Sequence, residues 1–238
     1  MTSQHVLRAS QTLTNNGCLV TANTEERLRR VRTARTELHA VGPQRCRPFE
    51  GDFERVALPD ADCNNLRDML VAHGAHTVIE IGLAYGSSAL AIGEALCSTE
   101  EPNVSHIVID PFQATAYKDV GWDLLNAAGL ASQTTLIREA SSIALARLAG
   151  VGFTADAAVV DGSHRFHEVF VDLYFLRKLV RPGGLIILDD SEWPSVAAAL
   201  RYFDRNLGWQ SVGIAGRLTA RRLPDEVLEP PFTDFKPF

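Results

Sequence analysis

Apolar positions along this chain follow two alternating periods. Val78, Ile79 and Ile81 form a short apolar run of the kind that fills a strand buried on both faces, and Gly82 stands where such a strand must turn. Before it, Leu66, Met69, Leu70 and Ala72 recur at helical spacing, which predicts a helix over Pro59 to His73 with Gly74 as its C-cap. After it, Ser87 and Ser88 stand where an N-cap would open a helix over Ala89 to Leu96. The alternation continues. Short apolar runs at His106 to Asp110, Thr134 to Arg138, Asp156 to Val160 and Leu185 to Leu188 predict strands, separated by helical stretches at Val120 to Leu130 and Phe166 to Val180. A helix over Ser195 to Leu207, with Val196, Leu200 and Phe203 inward, leads to two alternating segments, Trp209 to Ile214 and Arg217 to Leu223, that read as a hairpin. Strands alternating with helices imply a parallel sheet.

The N-terminal part differs. Met1 to Asn23 is rich in Ser, Thr, Asn and Gln without periodicity and reads as a loosely ordered arm. Thr24 and two acids then open a helix with Leu28, Val31, Ala34 and Leu38 along one stripe. Arg27, Arg29, Arg30, Arg32 and Arg35 surround that stripe and read as a solvated face, or as a means of gathering an anionic substrate or a partner subunit. Gly42 to Asp52 is a linker by composition. The expected division is an N-terminal arm with lid or dimer helices over 1–57 and a core domain over 58–238.

The turn after Val78–Ile81 carries the first chemistry. A strand, a glycine loop and a helix N-terminus present unpaired amides above the strand's carboxyl end, where nucleotide-like ligands bind. A dinucleotide fingerprint needs G-x-G-x-x-G, whereas here Gly82 and Gly86 are four apart and Glu80 precedes them. Asp110, at the end of the next strand, is placed to accept from both hydroxyls of a ribose held over the first.

Composition narrows the partners. The chain has 238 residues, enough for one α/β domain with an appendage. A net charge of -6 offers no basic footprint for nucleic acid, so a small-molecule partner is favoured. Cys18, Cys46, Cys63 and Cys97 are scattered, which fits reduced thiols rather than a zinc site or a disulfide framework. There is no apolar run of membrane-spanning length and no signal-peptide pattern near Met1, so the expected location is cytoplasmic, away from membranes.

The second informative stretch brings acids together. Asp161-Gly162-Ser163-His164 follows the fourth strand, and Arg181-Pro182-Gly183-Gly184 precedes a fifth that ends in Asp189 and Asp190. If both strand tips open on one edge, three carboxylates converge there and require a hard divalent cation such as Mg2+. His164, three residues past Asp161, is suited to take a proton from a hydroxyl. Trp193 is placed to wall an acceptor pocket or to be buried.

The E-x-G-x-x-x-G stretch resembles motif I of the class I S-adenosyl-L-methionine (SAM)-dependent methyltransferases, and the likeness extends over roughly Leu58 to Arg222. D-G-S-H, R-P-G-G and D-D together resemble the metal-dependent small-molecule O-methyltransferases, including those of antibiotic biosynthesis. The resemblance implies a Rossmann-like, seven-stranded, mostly parallel sheet with helices on both faces and a closing antiparallel pair. It implies SAM as cofactor, held by Glu80, Gly82, Ala84, Gly86, Ser87, Ser88, Asp110 and Asp161, with Ala140 and Ser141 bordering the adenine. It further implies a divalent metal on Asp161, Asp189 and Asp190, His164 as base and a hydroxylated small molecule as acceptor. The Ala84-Tyr85 pair departs from the pattern by placing a large aromatic in the cofactor loop, as a gate or an obstruction. Other readings open at this point are an NAD(P)-dependent oxidoreductase and a non-catalytic SAM-binding protein. The tail, with Pro224, Pro230, Pro231 and Pro237, has no core pattern and is free to cover the active site or a neighbouring subunit of a homo-oligomer.

Overall fold

The computed structural model describes residues 24–43, 52–99 and 101–238. The expected arm over Met1 to Asn23, and all of the Gly42 to Asp52 linker except its ends, lie outside the described residues. Helix α1 spans 24–41. It is followed by α2 (Phe53–Val56), α3 (Asp60–His73), β1 (Thr77–Ile81), α4 (Ser87–Cys97), β2 (Ser105–Ile109), α5 (Val120–Ala127), β3 (Thr134–Ile137) and α6 (Ser141–Gly150). The second half comprises β4 (Ala155–Val160), α7 (Phe166–Leu179), β5 (Val180–Leu188), α8 (Pro194–Leu207), β6 (Gln210–Ala215) and β7 (Leu218–Arg222).

The seven strands make one sheet in the order β3-β2-β1-β4-β5-β7-β6. Strands β1 to β5 run parallel, β7 lies antiparallel against β5, and β6 closes the edge antiparallel to β7. The order reverses between β1 and β4. Their connections leave on opposite faces, and a crevice opens outside the two carboxyl ends, the place where open α/β sheets bind ligands.

Side chains alternate across the sheet, which explains the two cores. Ile79 and Ile81 of β1 face α6, α7 and α8, together with Leu145, Leu173, Leu176, Leu200 and Phe203. Val78 faces the other way, onto Leu66 and Leu70 of α3 and Ile92 and Leu96 of α4. A third cluster docks α1 through Val31 and Leu38 onto Leu83, Leu90 and Leu125. Helices thus cover both faces.

Two expectations change. The arginines of α1 are not simply solvated: Arg35 is buried and pairs with the buried Glu94 of α4. Arg32 reaches the same carboxylate at 2.8 Å, and Arg35 also meets Asp60 at 3.0 Å and Asn64 at 2.9 Å. Arg32 and Arg35 thus help dock α1, whereas Arg29 and Arg30 stay exposed and pair with Glu26 of the same helix. The fifth strand also starts earlier than expected, at Val180, because Arg181 to Gly184 loop out of the ladder: β4 advances from Ala155 to Ala157 while β5 advances from Val180 to Leu185. Proline lacks the donor the ladder needs, and Gly183 takes a left-handed turn at φ 71°. Cys63 and Cys97 are free and buried, and burial pushes the Cys63 thiol up to about 12.

Candidate active site

The glycine loop after β1 is shaped by its neighbours. Gly82 has φ 96°, and a Cβ there would stand 2.1 Å from the Asp161 carbonyl oxygen at the tip of β4. A side chain is therefore excluded. Gly86 caps α4 in the left-handed region at φ 88°, so the helix opens at Ser87, one residue earlier than an N-cap at that serine requires. The Ser87 hydroxyl accepts from the Leu58 amide at 3.1 Å, tying the loop to the entry of α3.

Asp110 organises this loop from the end of β2. Its Oδ2 accepts from the amides of Leu83 at 3.1 Å and Ala84 at 3.0 Å and from the Gln113 side chain at 2.9 Å. Its Oδ1 accepts from the Phe112 amide at 2.7 Å. A carboxylate offers about four acceptor sites, two per oxygen. Oδ1 therefore keeps capacity for a ligand hydroxyl, while Oδ2 holds the backbone. The loop's left-handed Ala84, at φ 43°, is fastened by that bond and by Gln113, which donates to its carbonyl at 2.7 Å.

These groups line a cleft of about 1000 Å³ at the reversal point between β1 and β4. Gly82, Ala84, Ser87, Ser88, Asp110, Ala140, Ser141, Asp161, His164, Asp190 and Trp193 all line it. Glu80, Gly86 and Asp189 do not. Glu80 is fully enclosed on the α4 face, with His106 Nε2 3.0 Å from its carboxylate. Tyr85 neither gates nor obstructs: it turns inward, edge-on to Phe53 and Tyr117 at centroid distances of 5.6 and 5.1 Å.

The far end of the cleft carries the acids. Asp161 Oδ, His164 and Asp190 each offer a ligand atom, all within 4.8 Å of one another. His164 Nε2 lies 2.8 Å from Asp190 Oδ2 and its ring stacks on Trp193 at 4.9 Å. Burial, then the charges of Asp189 and Asp190, hold the Asp161 carboxyl well above the usual range. Asp189 is raised for the same reasons, by burial first and Asp190 second. Of the expected trio, Asp161 and Asp190 belong to this group. Asp189 turns to Arg217, which grips it through two bonds of 3.2 and 2.6 Å and reaches Asp190 at 2.8 Å. His164 takes the place of Asp189 beside the other two.

Several lining residues carried no readable sequence signal. Arg217 sits on the hairpin between β6 and β7, and only the insertion of β7 beside β5 brings it to the acids. Arg55, Val56 and Tyr117 wall the cleft from α2 and the loop before α5. Asp172 had a signal. It interrupts the apolar stripe Val169, Leu173, Leu176 of α7, where an acid is out of place.

Residues 79–191 match the family model of a methyltransferase domain. Among solved structures, cofactor-bound Rv0187 from MTB is 18% identical with a TM-score of 0.61, over 80% of this chain and 94% of that one. The O-methyltransferase TomG from Streptomyces achromogenes, involved in tomaymycin synthesis and solved with SAM, is 18% identical with a TM-score of 0.58, over 82% and 89%. The O-methyltransferase from Bacillus cereus, in complex with SAH, is 15% identical with a TM-score of 0.55, over 70% and 83%. At these identities the structures establish the fold. No curated protein matches the sequence. The chain thus carries a methyltransferase domain over residues 79–191, set in a sheet of order β3-β2-β1-β4-β5-β7-β6. Among the described residues, no helix is long and apolar enough to cross a membrane.

Proposed function

We propose that the protein transfers a methyl group from SAM to a hydroxyl oxygen of a small molecule, with the acceptor held at the Asp161, His164 and Asp190 edge. The observation that carries this is a single cleft joining the loop organised by Asp110 to that edge. The neighbours solved with SAM and SAH support the cofactor. In this reading the ribose lies at Asp110 Oδ1, the methionine part follows the Gly82 to Ser88 turn, and Ala140 and Ser141 border the base. Residues 58–238 are the catalytic unit, and the preceding segment contributes a wall through Arg55 and Val56.

The chemistry is displacement at carbon. The acceptor oxygen forms a bond to the methyl carbon as the carbon–sulfur bond breaks, SAH leaves neutral, and the hydroxyl proton must go to a base. Alignment supplies most of the rate, since the substrate is already activated as a sulfonium. His164 is placed to take the proton, because Asp190 and Trp193 fix its ring and imidazole accepts protons near neutral pH. Trp193, half exposed in the cleft wall, offers a flat face to the acceptor.

A divalent ion fits this edge by its donor set. The Asp161 and Asp190 carboxylates lie within reach of one centre beside His164, and burial followed by the charges of Asp189 and Asp190 holds Asp161 well above the usual carboxylate range until a cation arrives. When bound, an ion such as Mg2+ supplies charge that lowers the pKa of an acceptor hydroxyl. Calorimetry with SAM and SAH, and a screen of hydroxylated acceptors for SAH release with and without Mg2+, test the reading. SAM binding and acceptor-dependent SAH release are expected. Binding of NAD(P) with no affinity for SAM or SAH would overturn it. Loss of turnover on chelation with SAM affinity intact assigns the ion a role in the acceptor site, whereas survival leaves proton removal to His164.

A further inference from the structure

Asp172 is an acid in a helix stripe that is otherwise core. Positions 169, 172, 173 and 176 lie on one face of α7, and Val169, Leu173 and Leu176 bury it among the aliphatic residues of the sheet. Asp172 is only 2% exposed, yet it lines the cleft. Ser141, at the first turn of α6, is the polar side chain that favours the charged form of Asp172. Its Oδ1 is buried with no partner among the described residues. A buried carboxylate oxygen left without a donor is costly, so an oxygen of this kind in a ligand cleft points to a donor that arrives with the ligand.

The topology says which part of the ligand arrives there. Asp110 closes β2, and β2 lies between β1 and β3. With the ribose at Asp110 and the sulfonium directed toward the β4 and β5 tips, the base extends toward the turn between β3 and α6. Ser141 is on that turn and Asp172 stands beside it. Adenine carries one exocyclic amine, a donor only, and a carboxylate is an acceptor only.

We infer, on the SAM reading of the cleft, that Asp172 selects the adenine base by accepting a hydrogen bond from its 6-amino group through Oδ1. Ser141, on the neighbouring turn, favours the charged carboxylate that accepts this bond. Burial leaves no water to substitute for the amine, so a base lacking that donor is rejected rather than tolerated. The carboxyl group, pushed up to about 7 chiefly by burial and further by Glu168, is what an acid waiting for a donor looks like.

The test compares SAH with S-inosylhomocysteine, in which a carbonyl oxygen replaces the 6-amino group. Calorimetry on the wild-type protein at pH 8 is expected to show SAH bound at least about tenfold more tightly. Asp172→Asn presents either an oxygen or an N–H and is expected to bring the two ligands within about threefold. Ser141→Ala keeps the carboxylate and is expected to retain the preference, even where it weakens both ligands. A purely structural Asp172, holding α6 through Ser141, would lower melting temperature and both affinities together and leave the ratio unmoved. Equal binding of the two nucleosides by the wild-type protein overturns the inference without any variant, as does an Asp172→Asn ratio equal to the wild-type ratio. If neither nucleoside binds the wild-type protein, the SAM reading itself has failed.

Discussion

Gly82 and Gly86 look equivalent in the sequence, and the structure separates them. An alanine at Gly82 must adopt φ 96° and place its Cβ 2.1 Å from the Asp161 carbonyl oxygen and 2.8 Å from its carbon. Positive φ alone costs a non-glycine residue about 1–3 kcal/mol. The clash is with backbone, so it is relieved only by parting the tips of β1 and β4, where the Asp161 amide donates to Ile81 at 2.9 Å. Losing that bond adds about 1 kcal/mol. The sum is about 3 kcal/mol, which for a chain of this size lowers the melting temperature by roughly 6–12 °C. At Gly86 the added Cβ meets Gly121 at an ordinary 3.4 Å, and only the φ of 88° is penalised. With the same φ cost of about 2 kcal/mol and no bond lost, Gly86→Ala should lose roughly 4–8 °C. The ligand effects diverge further, because Gly82 and its neighbours line the cleft and Gly86 does not. Scanning fluorimetry and SAM titration on both variants should find Gly82→Ala weakened more than about tenfold and Gly86→Ala within about threefold. A Gly82→Ala protein as stable as Gly86→Ala, or one that binds SAM normally, would refute the close approach of β1 to β4 as the loop's determinant.

Three further outcomes are expected. Glu94→Ala leaves the buried Arg35 without its closest carboxylate and should cost about 3 kcal/mol in denaturant unfolding; Glu94→Gln should cost less. Chiefly the bonds from Arg32 and Arg35, acting against burial, hold the Glu94 carboxyl below its usual range, so its contribution is present above the unfolded value near 4.5 and is lost as pH falls below it. Asp172 has the opposite sign: with a folded value of about 7, the folded protein keeps a proton that the unfolded chain has released. Stability should therefore fall as pH rises from about 4 to about 7 and level off above, and Asp172→Asn should remove that slope in urea midpoints measured across the window. Mg2+ at millimolar concentration should raise the melting temperature of the wild-type protein and not of Asp161→Asn, since the ion offsets the burial and the neighbouring acids that together raise Asp161.

Local pattern carried much of this molecule. The run Val78 to Ile81, the acid after β2 and the acids after β4 and β5 were legible because strand identity depends on neighbours in sequence, and a parallel sheet sends every strand's carboxyl end to one edge. Side-chain direction was less legible. Tyr85 looked like an intrusion into the loop, and it packs away from the cleft only because α1, α2 and the Tyr117 loop leave it an aromatic niche. Glu80 looked like a ligand contact, and the alternation that sends Ile79 and Ile81 to one face sends it to the other. The α1 arginines looked solvated because Glu94, 59 residues from Arg35, was not yet a neighbour.

The acid edge shows how far charge alone can be followed. Three carboxylates at two strand tips call for positive charge, and the cation that the chain itself brings there is Arg217. One guanidinium faces Asp189 and Asp190 and leaves Asp161 raised even so. The edge is therefore divided. Asp189 anchors the hairpin that brings Arg217 in, while Asp190 is shared between Arg217 on one oxygen and His164 on the other. Asp189→Asn should accordingly act through Arg217, loosening the β6–β7 hairpin and Asp190 together, and added Mg2+ should rescue it poorly. Asp190→Asn, by contrast, loses the oxygen that faces His164, so its defect should respond to added Mg2+. Equal rescue of the two variants would return Asp189 to the ion and make Arg217 a bystander.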